Sequence, residues 1–199
     1  NIAPTQYVVA VRDTESGDRE AVSLKWGLIP FWAKDPAIGN RMINARAETV
    51  AEKPAYRNAF RHRRAVVLAD GFYEWRKEGG GKIPYYISLA DGQPFALAGL
   101  WENWTDKQTG ESLQTTTVIT ADANDFMAPL HHRMPVILVA ATANEWLAGA
   151  NDLLDDVATK IMGRTICALG DAAAMPVAGF IKHFRDEFQY HIDHKKCMV

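Results

Sequence analysis

Short apolar runs separated by turn residues fill the first two-thirds of the chain. Residues 6–11 (QYVVAV) are apolar and β-branched, 13–18 are polar around Gly17, and 20–26 resume with apolar and polar positions alternating. That succession predicts a β-hairpin. The same pattern predicts strands at 65–68, 72–76, 85–89, 95–101, 115–120 and 136–139. Between them, Gly79-Gly80-Gly81, Asp91-Gly92 and the stretch 106–110 have the residue types of hairpin connections. Pro54 restricts a helix in the 49–60 region to one that carries it in the first turn, so a helix over 54–61 is expected. Thr142 is expected to N-cap a helix through Glu145, Trp146 and Leu147 that stops at Gly149. A second helix is expected over 152–162, and 180–199 reads as a terminal helix or a loosely attached arm. No repeat or linker divides the chain. The expected fold is therefore one α+β domain over 1–199, with a β-rich, mostly antiparallel, barrel-like core and flanking helices.

Composition narrows the function classes. The 199 residues are 48% hydrophobic, enough for a sizeable core and against disorder as the main state. No run of about 18 apolar residues and no charged-then-apolar leader is visible, so the expectation is a soluble, intracellular protein without membrane contact. Cys167 and Cys197 lie outside any CxxC pattern, which argues against a disulfide framework and a cysteine-type zinc site; no metal or cofactor is expected. The net charge of −2, from 22 Lys+Arg against 24 Asp+Glu, gives no global field for nucleic acid. Yet residues 41–64 carry seven Lys or Arg against Glu48 and Glu52, a local net of +5. The chain starts Asn1-Ile2-Ala3-Pro4 without an initiator Met, and the native protein is expected to be longer.

Four segments concentrate chemistry. In 26–32 (WGLIPFW), Gly27 and Pro30 disrupt pairing, so some aromatics should stand on a loop and stack on nucleobases or sugars; the alternative is that all plug the core. In 42–49 (MINARAET), Asn44 and Arg46 share a strand face and together suit a phosphate or carboxylate. A surface turn with Glu48 paired to Arg46 is the competing reading. In 68–75 (LADGFYEW), Glu74 lies between Tyr73 and Trp75, surroundings that would desolvate it and tune it for proton transfer. An outward-facing Glu on an amphipathic strand is the alternative. In 129–135 (PLHHRMP), adjacent histidines on an extended chain face opposite ways, so His131 and Arg133 can form one polar edge near Thr120. Ordinary loop polars would also explain this segment.

Taken jointly, NIAPTQ, WGLIPFW, INARAET, LADGFYEW and HHRMPVIL, in that order and with Thr120-Ala121-Asp122 before the last, resemble the SRAP family over roughly residues 1–140. The resemblance implies abasic-site recognition in single-stranded DNA and a cross-link through an N-terminal cysteine, whose amine and thiol close a thiazolidine on the opened sugar. It also implies a cytoplasmic, nucleoid-associated protein. By motif it assigns Asn44, Glu74 and His131 to catalysis, with Asn44 positioning the cysteine and sugar, Glu74 moving protons and His131 assisting the sugar or its phosphate. Arg46, Arg133 and Thr120 are implied as phosphate ligands, and Trp32, Phe31 and Pro4 as further DNA contacts. The chain departs from the family pattern in lacking the nucleophilic cysteine and in the segment 152–199. A thiol-dependent (auto)peptidase and a non-catalytic single-strand-binding module stand as alternatives.

Overall fold

The computed structural model describes residues 1–14 and 16–148; the helix expected over 152–162, the tail 180–199 and both cysteines lie outside them. The first hairpin forms as the alternation predicts. Strands β1 (Tyr7–Asp13) and β2 (Arg19–Trp26) pair antiparallel, from Tyr7 opposite Lys25 to Asp13 opposite Arg19. A 3-10 helix, Pro36–Arg41, precedes β3 (Asn44–Arg46), α1 (Arg57–His62), β4 (Arg64–Ala69), β5 (Phe72–Glu78) and β6 (Gly81–Ile87). There follow β7 (Phe95–Thr105), β8 (Ser112–Asp122), β9 (Arg133–Pro135), β10 (Ile137–Leu138) and α2 (Ala140–Leu147).

Strands β7, β4, β1, β2 and β8 pair in that order, and β8 pairs back onto β7, so five strands close into a barrel. Closure leaves these strands no free edge. Strand β10 adds beside β7, while β3 and β9 add beside β8; β5 and β6 form a separate two-stranded sheet. The contacts of β8 with β2 and β3 are parallel and the others antiparallel, in agreement with the β-rich, mostly antiparallel core expected from the sequence. Alternate positions of each barrel strand point inward: Val8 and Ala10, Leu24, Ala65 and Val67, Phe95 and Leu97, and Val118 form one apolar cluster. Burying each of the larger side chains contributes about 1.5–3 kcal/mol, before the entropy of ordering it.

The loop after β2 is packed rather than loose. Leu28, Ile29 and Pro30 are buried, and the Ile29 N–H donates to the Thr115 hydroxyl at 2.9 Å. Gly27 has φ +127, a conformation open to glycine, and a Cβ there would lie 2.5 Å from the Gly39 carbonyl oxygen. The two glycines therefore let the loop and the 3-10 helix touch backbone to backbone.

Several boundaries differ from the expectation. Strand β6 starts at Gly81, because Gly79 and Gly80 alone, both at positive φ, make the turn. Pro84 is accommodated there, since a two-stranded sheet leaves one side of each strand unpaired. Helix α1 starts at Arg57, with turns over the residues around Pro54. Val139, not Thr142, is the N-cap of α2: the Thr142 hydroxyl donates to the Val139 carbonyl at 3.0 Å. The segment expected as one strand over 136–139 contributes only Ile137–Leu138.

Candidate active site

Strand β3 is three residues long, and its burial follows the pleat: Ala45 is inside, while Asn44 and Arg46 are exposed on the outer side. The same-face pairing read from parity is therefore present, with Arg46 registered against Thr120 of β8. Tyr56 reaches back from the segment before α1, its hydroxyl donating to the Asn44 carbonyl at 3.3 Å. Burial pushes the Tyr56 phenol above its ordinary value, which keeps it a donor.

Glu74 stands on β5, in the separate sheet. Its side chain is partly buried and faces Tyr85 across the strand pair. Tyr73 and Trp75, expected to enclose Glu74, instead occupy the opposite and exposed face, where Tyr73 packs on Tyr86 at 5.1 Å and on Trp75 at 6.4 Å between ring centroids. Strand alternation separates them from the carboxylate.

What Glu74 does meet is His131, with Oε2 3.7 Å from Nδ1. The Arg133 backbone N–H lies 3.1 Å from that Nδ1, which accepts from it in the tautomer that carries its proton on Nε2. On protonation, Nδ1–H has the Arg133 carbonyl at 3.0 Å and Glu74 as acceptors. The two histidine rings lie on one side, 4.4 Å apart, and do not diverge as an extended chain would make them; residues 131 and 132 precede β9 and are not in a strand.

Arg133 draws the edge together. Its Nη1 donates to Glu48 Oε1 and Asp122 Oδ1, both at 2.7 Å, and its Nη2 donates to Glu48 Oε2 at 3.0 Å and the Thr120 carbonyl at 2.6 Å. Glu48 thus pairs with Arg133 as a bidentate fork, not mainly with Arg46, and the guanidinium holds it below the ordinary carboxylate range. Thr120 is buried, its hydroxyl donating to the Ala45 carbonyl at 3.4 Å. The Glu48–Arg133–Asp122 cluster was not legible in the sequence, because its members are distant along the chain.

The aromatic loop divides. Trp26 is half-buried, with its indole N–H on the Ile43 carbonyl at 2.9 Å, whereas Phe31 and Trp32 are about half exposed. Pro4 lies exposed in a turn held by Ala3 N–H on Gln6 Oε1 and by Thr5 N–H on the Trp26 carbonyl. That turn therefore runs beside Trp26, one hydrogen bond away from the residue preceding Asn44. Of the basic stretch, Arg41, Arg46, Lys53, Arg57 and Arg61 are exposed. Arg63 and Arg64 turn inward, Arg63 to the buried Glu102 at 3.0 Å and Arg64 between the rings of Phe60 and Trp146.

A closed barrel with an amide and a guanidinium on its appended strand β3, a second guanidinium on β9, and a carboxylate of the separate sheet set against the imidazole of the loop before β9 defines the class. Residues 1–181 match the SOS response associated peptidase (SRAP) family, and the chain belongs to it. Among its relatives, abasic site processing protein YoaM of Bacillus subtilis is 47% identical over 152 residues, covering 76% of this chain and 66% of that protein. Abasic site processing protein HMCES of Gallus gallus is 33% identical over 211 residues, covering 94% of this chain and 60% of that protein. This chain therefore spans about two thirds or less of the length of these relatives. A crystal structure of a protein from Bacteroides thetaiotaomicron superposes with a TM-score of 0.67 at 32% identity, covering 85% of this chain and 68% of that one.

Proposed function

We propose that this protein recognises abasic sites in single-stranded DNA and cross-links to them covalently through an N-terminal cysteine, with peptidase-type processing of its N-terminus as the step that exposes that cysteine. The observation that carries the reading is the meeting at 3.7 Å of Glu74, from the two-stranded sheet, with His131, from the loop that leads into β9. An abasic sugar is a cyclic hemiacetal. Opening it takes a proton from the C1′ hydroxyl and returns one to the ring oxygen, giving an aldehyde, and Glu74 beside His131 is the group able to carry that proton. The α-amine then adds to the aldehyde, water leaves and an imine forms. The thiol adds across the C=N bond, sulfur to carbon and proton to nitrogen, closing the thiazolidine.

In this reading Asn44 orients the sugar and the incoming amine, and Tyr56 steadies its carbonyl. Arg46 is the exposed phosphate ligand on β3, with Arg133 and Thr120 beside it, and Trp32, Phe31 and Pro4 flank the strand. The nucleophile must carry amine and thiol on adjacent carbons, which an internal cysteine such as Cys167 or Cys197 cannot. A cytoplasmic, nucleoid-associated location belongs to the same proposal. The test incubates the native protein, with its own N-terminus, with a single-stranded abasic oligonucleotide and with its undamaged counterpart. A denaturation-resistant one-to-one adduct with the abasic strand alone is expected; no adduct overturns the reading.

A further inference from the structure

The two-stranded sheet leaves the barrel at one corner. Strand β4 ends at Ala69 and β5 begins at Phe72, so Asp70 and Gly71 alone join them. Beyond that corner β5 and β6 pair with no other strand, and it is the first residue of β5, Phe72, that packs against Phe95 of the barrel core. Glu74 stands three residues out from Gly71, about 10 Å along an extended chain. A turn of the sheet by about 10° at the corner would therefore carry the Glu74 backbone through about 1.7 Å. A misplacement of about 1 Å can already cost about 100-fold in rate. The contact of Glu74 with His131, 3.7 Å long, thus depends on how firmly the corner is held.

One side chain of the returning strand engages both residues of that corner. Tyr86 lies on β6 opposite Tyr73, next to Tyr85, the cross-strand partner of Glu74. Its ring covers Gly71 so closely that a Cβ built there would overlap Cζ, Cε2 and the hydroxyl oxygen of Tyr86. The same hydroxyl donates to the Asp70 carboxylate, and the Tyr73 ring packs on Tyr86 at 5.1 Å between centroids. Gly71 does not take a positive φ, so this glycine answers to the ring above it and not to the backbone. Tyr86 is also 51% exposed, and a ring that leaves half its surface in water adds little to a core. Its distinctive contacts are those with the corner.

We propose that Tyr86 is a positioning residue for the reaction: seated on Gly71 and bonded to Asp70, it fixes the angle at which β5 leaves the barrel and so keeps Glu74 within reach of His131. The proposal rests on the reading of Glu74 as the proton carrier and adds to it the part that aims the carboxylate. Asn44, Arg46 and Arg133 sit on the strands added to the barrel, away from the corner, so loss of the clamp falls on the chemical step and spares affinity for the strand.

The experiment is a double-mutant cycle in the native protein, with its own N-terminus, on an abasic single strand. Single-turnover adduct formation and the dissociation constant of the strand are measured for Tyr86→Ala, Gly71→Ala, the two combined, and Tyr86→Phe. Either alanine substitution unseats the ring, one by removing it and the other by a methyl group in its place, and each is expected to slow the reaction at least about tenfold with the dissociation constant within about twofold. Combined, they are expected to slow it no more than Tyr86→Ala alone, because the methyl group has no ring left to displace. Tyr86→Phe keeps the ring on Gly71 and should restore the rate to within about threefold of the native protein. In parallel, the nuclear Overhauser effect between the Glu74 methylene and His131 ring protons, read in the free protein, should vanish in both alanine variants and persist in Tyr86→Phe. Native rates in both alanine variants, multiplying losses in the combined one, or a Tyr86→Phe as slow as Tyr86→Ala overturns the clamp. Should Tyr86→Ala not fold, Gly71→Ala against Tyr86→Phe decides by the same criteria. The magnetic readout keeps the two readings apart: a native protein that forms no adduct yet loses the Glu74–His131 signal in Gly71→Ala rejects only the cross-link, and adducts with that signal intact in the alanine variants reject only the clamp.

Discussion

The barrel and the two-stranded sheet are made of similar strands and do opposite things with them. In the barrel, β7 and β8 hold eleven residues each, pair with one another and with further strands, and bury even their polar side chains: Thr115, Thr116 and Thr117 have no accessible surface. In the other sheet, β5 and β6 pair only with each other and leave Tyr73, Trp75 and Tyr86 about half exposed. A strand pair of that kind has little core of its own. Nevertheless it carries Glu74, while the barrel side carries Asn44, Arg46, His131 and Arg133. The difference teaches that stability and proton-transfer geometry are housed separately: Phe72 packs the small sheet onto the barrel core against Phe95, and Glu74 meets His131 across the gap between them.

The two regions can be attacked one at a time. Gly27→Ala should strike the barrel side hardest, since the new Cβ meets the Gly39 backbone at 2.5 Å in a conformation unsuited to alanine. A loss of about 3–5 kcal/mol in urea unfolding is expected. Arg46→Ala leaves the fold alone and weakens single-strand binding. Its signature is a salt dependence shallower by about 0.7 in log–log slope, the share of one phosphate.

Carboxylates sharpen the contrast through pH. Glu48 is held below the ordinary range by Arg133, so its contribution to stability is present above the unfolded value of about 4.3 and is lost as pH falls through the lower folded value. Glu102, in the barrel, is pushed up by burial in spite of Arg63, so its contribution is present below that unfolded value and is lost as pH rises through the higher folded one. Unfolding free energies measured across acid pH should show the gap between wild type and Glu48→Gln narrowing as pH falls. The gap to Glu102→Gln should change in the opposite direction. The smallest effect belongs to Asp122→Asn: the side chain is 86% exposed and Glu48 still grips Arg133, so stability should move by no more than about 0.5 kcal/mol.

Local pattern made much of this legible. Alternation in β1 and β2, the turns at Asp91-Gly92 and Asp106–Gly110, and the shared face of Asn44 and Arg46 are consequences of near neighbours. The turns close as their chemistry requires, with Asp91 and Asp106 carboxylates accepting backbone N–H groups two residues on. Barrel closure was expected only in outline, because β8 meets β2 and β3 in parallel across long sequence separations, at Trp26 with Thr116 and Asn44 with Val118. The error about Glu74 has a different origin. Tyr73 and Trp75 are its neighbours in sequence, but a pleated strand sends adjacent side chains to opposite faces, so its real partner comes from a loop fifty-odd positions away. The competing reading that paired Glu48 with Arg46 fails for the same reason: it took proximity along the chain for proximity across strands, where Arg133 holds Glu48.

The most direct test of the account concerns that contact. Single-turnover adduct formation on a saturating abasic single strand, measured for the native protein and for Glu74→Gln, isolates proton transfer from binding. The account predicts a fall of about 100-fold or more in the rate, with the dissociation constant for the strand within about twofold. An unchanged rate, or a loss confined to binding, would contradict it.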